Sequence, residues 1–373
     1  MSPYKGGHLR RLPSGNWRWI VQHRGQRRSG TAASRPAAKV AAAQALVELG
    51  APHPASAGDA TIEDLLLAWQ AEHADRWSPT YAADVAHVCS HLPAAFLERR
   101  VDEVDPAAIA QLQRTLGKAG WSAHRLQRLR GCLSGAWRMA ITYGWARSNP
   151  VRDVLAPHVD RSRAKAPTPD VVRALVAAAP ESLRLFLRLA TITGARRGEL
   201  VGLQWGDIDP ATATLTIRRR VVQVAGQAPT VLDSTKTGRK GERRLELDAV
   251  TMRMLEQHRD VQREHAARNL LPDPVWVFSS DAGHSPWRPD YPTQTYVQLR
   301  RTVAESLPDA EGVRLHDLRH YVATTMLRAG ETPADVAAWL GHATPATTMR
   351  VYAHVLPGRG RENASRLAGL LDD

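Results

Sequence analysis

The sequence predicts a mainly α-helical, multidomain chain with small β elements. Apolar side chains recur at helical spacing through most of residues 61–145. Two stretches rich in Pro and small or basic residues, GAPHPASAGDA (50–60) and NPVRDVLAPHVDRSRAKAPTP (149–169), read as linkers. Alternating, turn-bounded runs suited to strands occur only at the N-terminus and within about 212–248.

Each element has a local reason. PSGNWRWIVQHRGQRRSG (13–30) contains a Gly-Asn turn, an aromatic-rich strand, a turn at Arg24-Gly25 and a second, basic strand. SRPAAKVAAAQALVEL then reads as a helix with Ser34 as N-cap and Pro36 in its first turn. A small basic sheet backed by one helix can lay strands into a DNA groove, which makes Arg18 and Arg27 candidate contacts; a plain packing module around Trp17 and Trp19 is the alternative. TIEDLLLAWQAEHA starts at Thr61, with Glu63 and Asp64 suited to the helix dipole. PTYAADVAHVCSHLPAAFL, DPAAIAQLQRTLGKAG and SAHRLQRLRGCLSGAWRMAITYGW continue as helices. The last carries His124, Arg125, Arg128, Arg130 and Arg138, either a solvated face or a DNA-backbone contact, with Arg125 and Arg128 as the candidates. Beyond the second linker, helices are expected at about 169–179 and 181–204. TATLTIRRRVVQV and a basic hairpin, DSTKTGRKGERRLELD, follow, and helices resume at 248.

Composition bounds the function. Lys and Arg number 50 against 37 Asp and Glu, a net charge of +13. Such an excess favours a polyanionic partner, nucleic acid first. Only six of the basic residues are lysines, so the Arg and Ala richness also fits a G+C-rich genome. No run is long and apolar enough for a membrane span, and MSPYKGGHLRR lacks a signal-peptide core, so the expected location is the cytosol. Cys89 and Cys132, the only cysteines, both fall in expected helices and read as buried packing.

The last 200 or so residues carry the chemistry. TGARRGELVGLQW places Arg196 just after Gly194, where the chain enters or bends within a helix. KTGRKGERRL puts Lys236 near a hairpin tip, with Lys240 flanking the same turn. RLHDLRHYVATTML sets His316 and Arg319 three apart, LGH brings His342, and Tyr352 closes LGHATPATTMRVYAH. Two arginines can clamp the nonbridging oxygens of a phosphodiester and hold the charge that grows there. A tyrosine offers a phenolate nucleophile and stores bond energy as a phosphotyrosine ester. Histidine and lysine can supply the base and the leaving-group acid. The set suits strand breakage and rejoining without a metal or cofactor.

In the order Arg, Lys, His-x-x-Arg, His, Tyr, these residues make the sequence resemble a tyrosine recombinase of the phage integrase family, over about residues 60–373. The matching stretches are TGARRGEL, TKTGRKGERRLEL, HDLRHYVAT and LGHATPATTMRVYAHV. The resemblance implies a helical core-binding (SAM-like) domain at 60–150 and a tyrosine-recombinase-like catalytic domain at 165–373, closing as a clamp on duplex DNA. The N-terminal β-sheet/helix module, 1–55, is similar to the arm-type DNA-binding domains of many integrases. Residue by residue, Tyr352 becomes the nucleophile joining the DNA 3'-phosphate, Arg196 and Arg319 the phosphate clamps, and Lys236 or Lys240 the acid for the 5'-oxygen. His316 is the general base or proton shuttle, His342 a phosphate ligand and Glu199 an orienting acid. His320, Tyr321 and His354 read as structural or supporting. Partners implied are attachment-site DNA, three further copies of the chain in a tetramer working through a Holliday junction, and directionality or host DNA-bending factors. The expected setting is a bacterial nucleoid.

Rival readings remain. HDLRH also resembles a zinc-binding H-x-x-x-H pair, but Asp317 stands where a metalloprotease has Glu. A repressor or architectural DNA-binding protein would use the charge without the chemistry. A chromosomal or transposon recombinase shares the catalytic set, and the extra N-terminal module tilts the reading to an integrase of a phage or other mobile element. The tail, RENASRLAGLLDD, has Leu367, Leu370 and Leu371 on one face and can dock on a neighbouring copy or on its own domain.

Overall fold

The computed structural model describes residues 8–23, 26–49, 60–159, 166–233, 235, 241–352 and 368. The chain divides into two compact units, Met1–Arg161 with Val224–Gln227, and Ser162–Gln223 with Ala228–Asp373. Lys236, Lys240, His354 and the leucines of the tail lie outside the described residues.

The first unit opens with an antiparallel sheet of β1 (His8–Arg11), β2 (Trp17–His23) and β3 (Gln26–Ala32), one strand more than the sequence reading expected. HLRR is too short for an alternating pattern, and its strand form depends on the pairing Leu9↔Trp19 and Arg10↔Arg18. α1 (Arg35–Glu48) covers one face, where Val21 packs with Ala42 and Ala45 and Arg28 pairs with Glu48 at 3.0 Å. Gly30 faces Trp19 across the strands, and a Cβ there would lie 2.6 Å from the indole. Strand alternation and register put Arg10, Arg18 and Arg27 together on the opposite face, all exposed.

Five helices complete this unit: α2 (Ile62–His73), α3 (Pro79–Ser90), α4 (Ala94–Leu97), α5 (Pro106–Lys118) and α6 (Ala123–Thr142). Thr61, Ser78, Asp105 and Ser122 cap four of them by accepting from a backbone N–H three residues on, each cap contributing about 1 kcal/mol. Pro93 separates α3 from α4, so PTYAADVAHVCSHLPAAFL forms two helices where one was expected. Ile62, Leu65, Val85, Ile109, Leu129, Leu133 and Trp137 fill the core, with Cys89 and Cys132 buried and free.

In the second unit α7 (Pro169–Ala177) leads to α8 (Glu181–Thr193), which buries Leu183, Phe186, Leu187 and Leu189. The helix expected to run to 204 stops at Gly194, whose φ of 59° is left-handed, and resumes as the short α9 (Arg197–Val201). β4 (Ile208–Asp209), β5 (Thr214–Ile217) and β8 (Arg243–Glu246) form one antiparallel sheet, while β6 (Arg220–Val222) pairs with β7 (Thr230–Leu232) in another. The TATLTIRRRVVQV run is thus split between β5 and β6 at Arg218-Arg219, where both guanidiniums turn onto buried Asp207. Helices α10 (Ala249–Arg268), α11 (Tyr291–Ser306), α12 (Asp317–Arg328), α13 (Pro333–Leu340) and α14 (Pro345–Tyr352) follow. Among the described residues, no helix is long and apolar enough to cross a membrane, and no three His, Cys, Asp or Glu side chains are grouped to hold a metal ion.

Candidate active site

Gly194 organises the first half of the site. A Cβ there would lie 2.4 Å from the Leu340 side chain, so only glycine lets α8 end against α13. Its carbonyl accepts from Arg319 Nη1 at 2.7 Å, tying α12 to the same corner. Two residues on, Arg196 stands at the N-cap of α9. Its backbone N–H and its Nη1 both donate to the Glu199 carboxylate, at 3.0 and 2.7 Å. Arg243, from β8, donates Nη2 to the same carboxylate at 2.9 Å and Nη1 to the Gly241 carbonyl at 3.0 Å.

Glu199 is only 1% exposed and holds two guanidiniums. Burial alone would raise its pKa, but Arg243, Arg196 and the Arg196 backbone N–H more than reverse this and hold the carboxyl below its usual range. Arg319, 4% exposed, has its proton affinity pushed down to about 9 by burial and then by Arg196, so it stays charged at neutral pH. Its buried Nη2 has no hydrogen-bond partner among the described residues, a donor left over for an anion. Three guanidiniums against one carboxylate leave the corner positive. Arg220, on β6, adds to it: Glu199 favours and Arg196 opposes its charge, after burial has lowered its pKa. Gly198 lets β6 come this close, since a Cβ there would meet the Val221 carbonyl at 2.6 Å.

The second half is neutral. Tyr352 ends α14, 2% exposed, packed with Val322, Leu327, Val336 and Leu340. Burial pushes its phenol up to about 12, while Arg319 pulls the other way. Its hydroxyl lies 2.5 Å from Nδ1 of His320 on α12. With the phenol as donor, His320 is the Nε2–H tautomer, and burial lowers the proton affinity of its ring. His342 follows Gly341, another left-handed residue, and its Nδ1 lies 2.8 Å from the hydroxyl of fully buried Thr348. Burial, then Arg319, Arg196 and Arg243, push His342 down to about 4. His316, at the N-cap of α12, is lowered first by desolvation of its ring and then by His320, Arg319 and Arg196. The residue itself is exposed, and water moderates that shift.

Arg196, Glu199, His316, Arg319, His342 and Tyr352 thus gather in the second unit, linked by contact or by mutual electrostatic influence. Lys236 and Lys240 fall outside the described residues. In the first unit Arg125 stacks on Trp121 at 3.8 Å, whereas Arg128 lies over Tyr81 and pairs with Asp84 at 2.5 Å, which partly neutralises it. Sequence reasoning missed Arg243 and Arg220 and set His320 aside. The third arginine of the RRR run and the second histidine of HDLRH were the available signals.

This fold and this site define a class, the recombinases that act through a tyrosine. Residues 166–359, just over half of the chain, match the family model described as "Phage integrase family", and the chain belongs to that family; it is a tyrosine site-specific recombinase. It is similar to the ICEBs1 integrase of Bacillus subtilis, 23% identical over 299 residues that span 79% of this chain and 78% of the relative. In fold it resembles the Tn1549 transposon integrase in complex with transposon right end DNA, with a TM-score of 0.70, 19% identity and coverage of 83% of this chain and 100% of that one. A lambda integrase tetramer bound to a Holliday junction gives a TM-score of 0.56 at 20% identity, covering 96% of each chain.

Proposed function

We propose that this chain is the integrase of a phage or other mobile element, cutting and rejoining duplex DNA through a 3'-phosphotyrosyl bond to Tyr352. The observation that carries it is a buried phenol under the influence of Arg319, which stands beside a carboxylate that holds two further guanidiniums. The Tyr352 oxygen attacks phosphorus and the P–O5' bond breaks, with the proton for the leaving oxygen coming from Lys236 or, failing that, Lys240. Arg196 and Arg319 hold the nonbridging oxygens, and the unpartnered Nη2 of Arg319 is free to do so. Glu199 orients Arg196, His342 donates to the phosphate, and His316 shuttles protons at the N-terminus of α12. No step calls for a metal or cofactor.

The domain roles follow as part of the same reading. Residues 1–55 bind arm-type sites through Arg18 and Arg27, on the exposed face of their sheet. Residues 60–150 grip the core site, where Arg125 and Arg128 reach the backbone, and 165–373 catalyse. The ICEBs1, Tn1549 and lambda integrases support a mobile element as the source, and the lambda tetramer on a Holliday junction supports four copies at work together. Directionality or DNA-bending factors would act on that assembly, and its setting would be the bacterial nucleoid.

The test incubates the full chain, in EDTA, with a pool of nicked duplexes of random sequence and recovers DNA that stays attached after detergent denaturation. The wild type is expected to recover specific duplexes and Tyr352→Phe none, although Tyr352→Phe still binds them. Attachment by Tyr352→Phe, or none by a folded, DNA-binding wild type, would overturn the assignment.

A further inference from the structure

We propose that His320 is a catalytic residue of this chain, whose Nδ1 takes the proton that Tyr352 gives up as its oxygen attacks phosphorus. The inference rests on the reading of Tyr352 as nucleophile and assigns that reading a base.

A phenol held up near 12 is ionised to only about one part in 10⁵ at neutral pH, so attack needs an acceptor in contact with the hydroxyl. Among the described residues, the ring nitrogen within hydrogen-bond distance of that hydroxyl is His320 Nδ1, at 2.5 Å with ring centroids 5.6 Å apart. Neither of the other histidines is placed to do the same. His342 spends its Nδ1 on Thr348, and His316 meets the His320 ring edge-on at 5.3 Å. His320 also directly follows Arg319, so the residue that clamps the phosphate and the residue that holds the phenol share one turn of α12. Four groups act on its charge. Asp317 favours the imidazolium, while Arg314, Arg319 and neighbouring His316 oppose it. Asp317 is itself held by Arg314 at 2.8 Å, which steadies the carboxylate that acts on the ring.

The step balances without another reagent. The Oη–H bond breaks and its proton passes to Nδ1, giving an imidazolium. The Oη–P bond forms, the P–O5' bond breaks, and the leaving oxygen is protonated by the separate acid. On rejoining, the 5'-hydroxyl returns its proton to the separate acid as its oxygen bonds phosphorus, the Oη–P bond breaks, and the imidazolium returns its proton to Oη. His316, edge-on to the ring, is placed to exchange that proton with solvent between steps.

The experiment uses the full chain and a nicked duplex recovered from the random pool, and follows the initial rate of covalent attachment. It compares the wild type, His320→Ala and His320→Asn, each with natural tyrosine or with a more acidic trifluorotyrosine incorporated at position 352. Asparagine keeps an acceptor oxygen and much of the volume but takes no proton at neutral pH. Both variants are expected to bind the duplex and to attach about 10²–10⁴-fold more slowly. Trifluorotyrosine should recover at least tenfold in both while changing the wild type little. Attachment by His320→Asn at the wild-type rate would overturn the proposal. So would a loss that the acidic tyrosine leaves untouched, since that marks a packing role. A Tyr352→Phe chain that still attaches DNA would instead remove the nucleophile assignment beneath it.

Discussion

Around Glu199 the second unit buries charge, and around Tyr352 it buries groups held neutral. Arg196 and Arg243 converge on one carboxylate, with Arg319 beside them fixed to the Gly194 carbonyl. Taking those ions out of water is costly, and it is repaid only because Glu199 accepts three hydrogen bonds at 2.7 to 3.0 Å. The result is a fixed positive corner that needs no rearrangement when a phosphate gains charge. The tyrosine side is the reverse: His320 and His342 are pushed toward the neutral form and Tyr352 toward the protonated one. On the proposed reading, what changes there during reaction is the position of a proton. One half of the site therefore depends on salt-bridge geometry, the other on hydrogen bonds between neutral groups.

The comparison can be broken first at the carboxylate. Glu199→Ala leaves Arg243 buried without its counterion and is expected to destabilise the chain by about 3–5 kcal/mol, read as a lower urea midpoint. Little change would mean that solvent reaches Arg243 despite its burial. Arg319→Ala should slow covalent attachment by about 10²–10³-fold with little effect on duplex affinity, because its spare donor acts on growing charge. A matched loss of affinity would make Arg319 a ground-state contact. On the neutral side, acid should be the lever. His342 has a folded value of about 4 against 6.5 ordinarily, so the unfolded chain binds its proton first. Its contribution is complete above about 6.5 and is lost as pH falls from there toward 4, an effect on the order of 1–2 kcal/mol once water around the half-buried ring screens it. His342→Gln should therefore show a smaller drop in urea midpoint between pH 7 and pH 4.5 than the wild type. The smallest effect joins the halves: Gly341→Ala puts a Cβ 2.7 Å from Arg243 Nη1 at a φ of 68°, and should cost about 1–2 kcal/mol. It should also slow attachment by displacing His342; an unchanged rate would uncouple that loop from the arginine corner.

Much of this was legible where the signal is local. Thr61, Ser122 and Asp248 announce their helices because a cap and its partner lie within three residues. The residues of TGARRGEL, HDLRH and LGH could be nominated because their chemistry and order are written in the chain. Arg243 could not, since its importance comes from Glu199, 44 residues away, through a sheet whose pairing no alternation pattern specifies. His320 was passed over for the same reason: its partner is 32 residues downstream and becomes its neighbour only when α14 packs on α12. The break after α8 was half visible, because Gly194 signals a helix end, but Leu340 supplies the reason for a glycine there.

The seat of Tyr352 bears on what happens when no target is at hand. On the proposed reading Tyr352 can cut a DNA strand, and such a group is a hazard to every duplex it brushes against. Here its oxygen carries its proton, is occupied by His320, and sits at the end of a ring of which 2% meets solvent. A passing backbone finds no loose phenolate to collide with, and stray electrophiles find little to modify. The protein in this form is a blade kept sheathed, and it meets a strand only where a phosphate is brought up to the phenol that His320 holds.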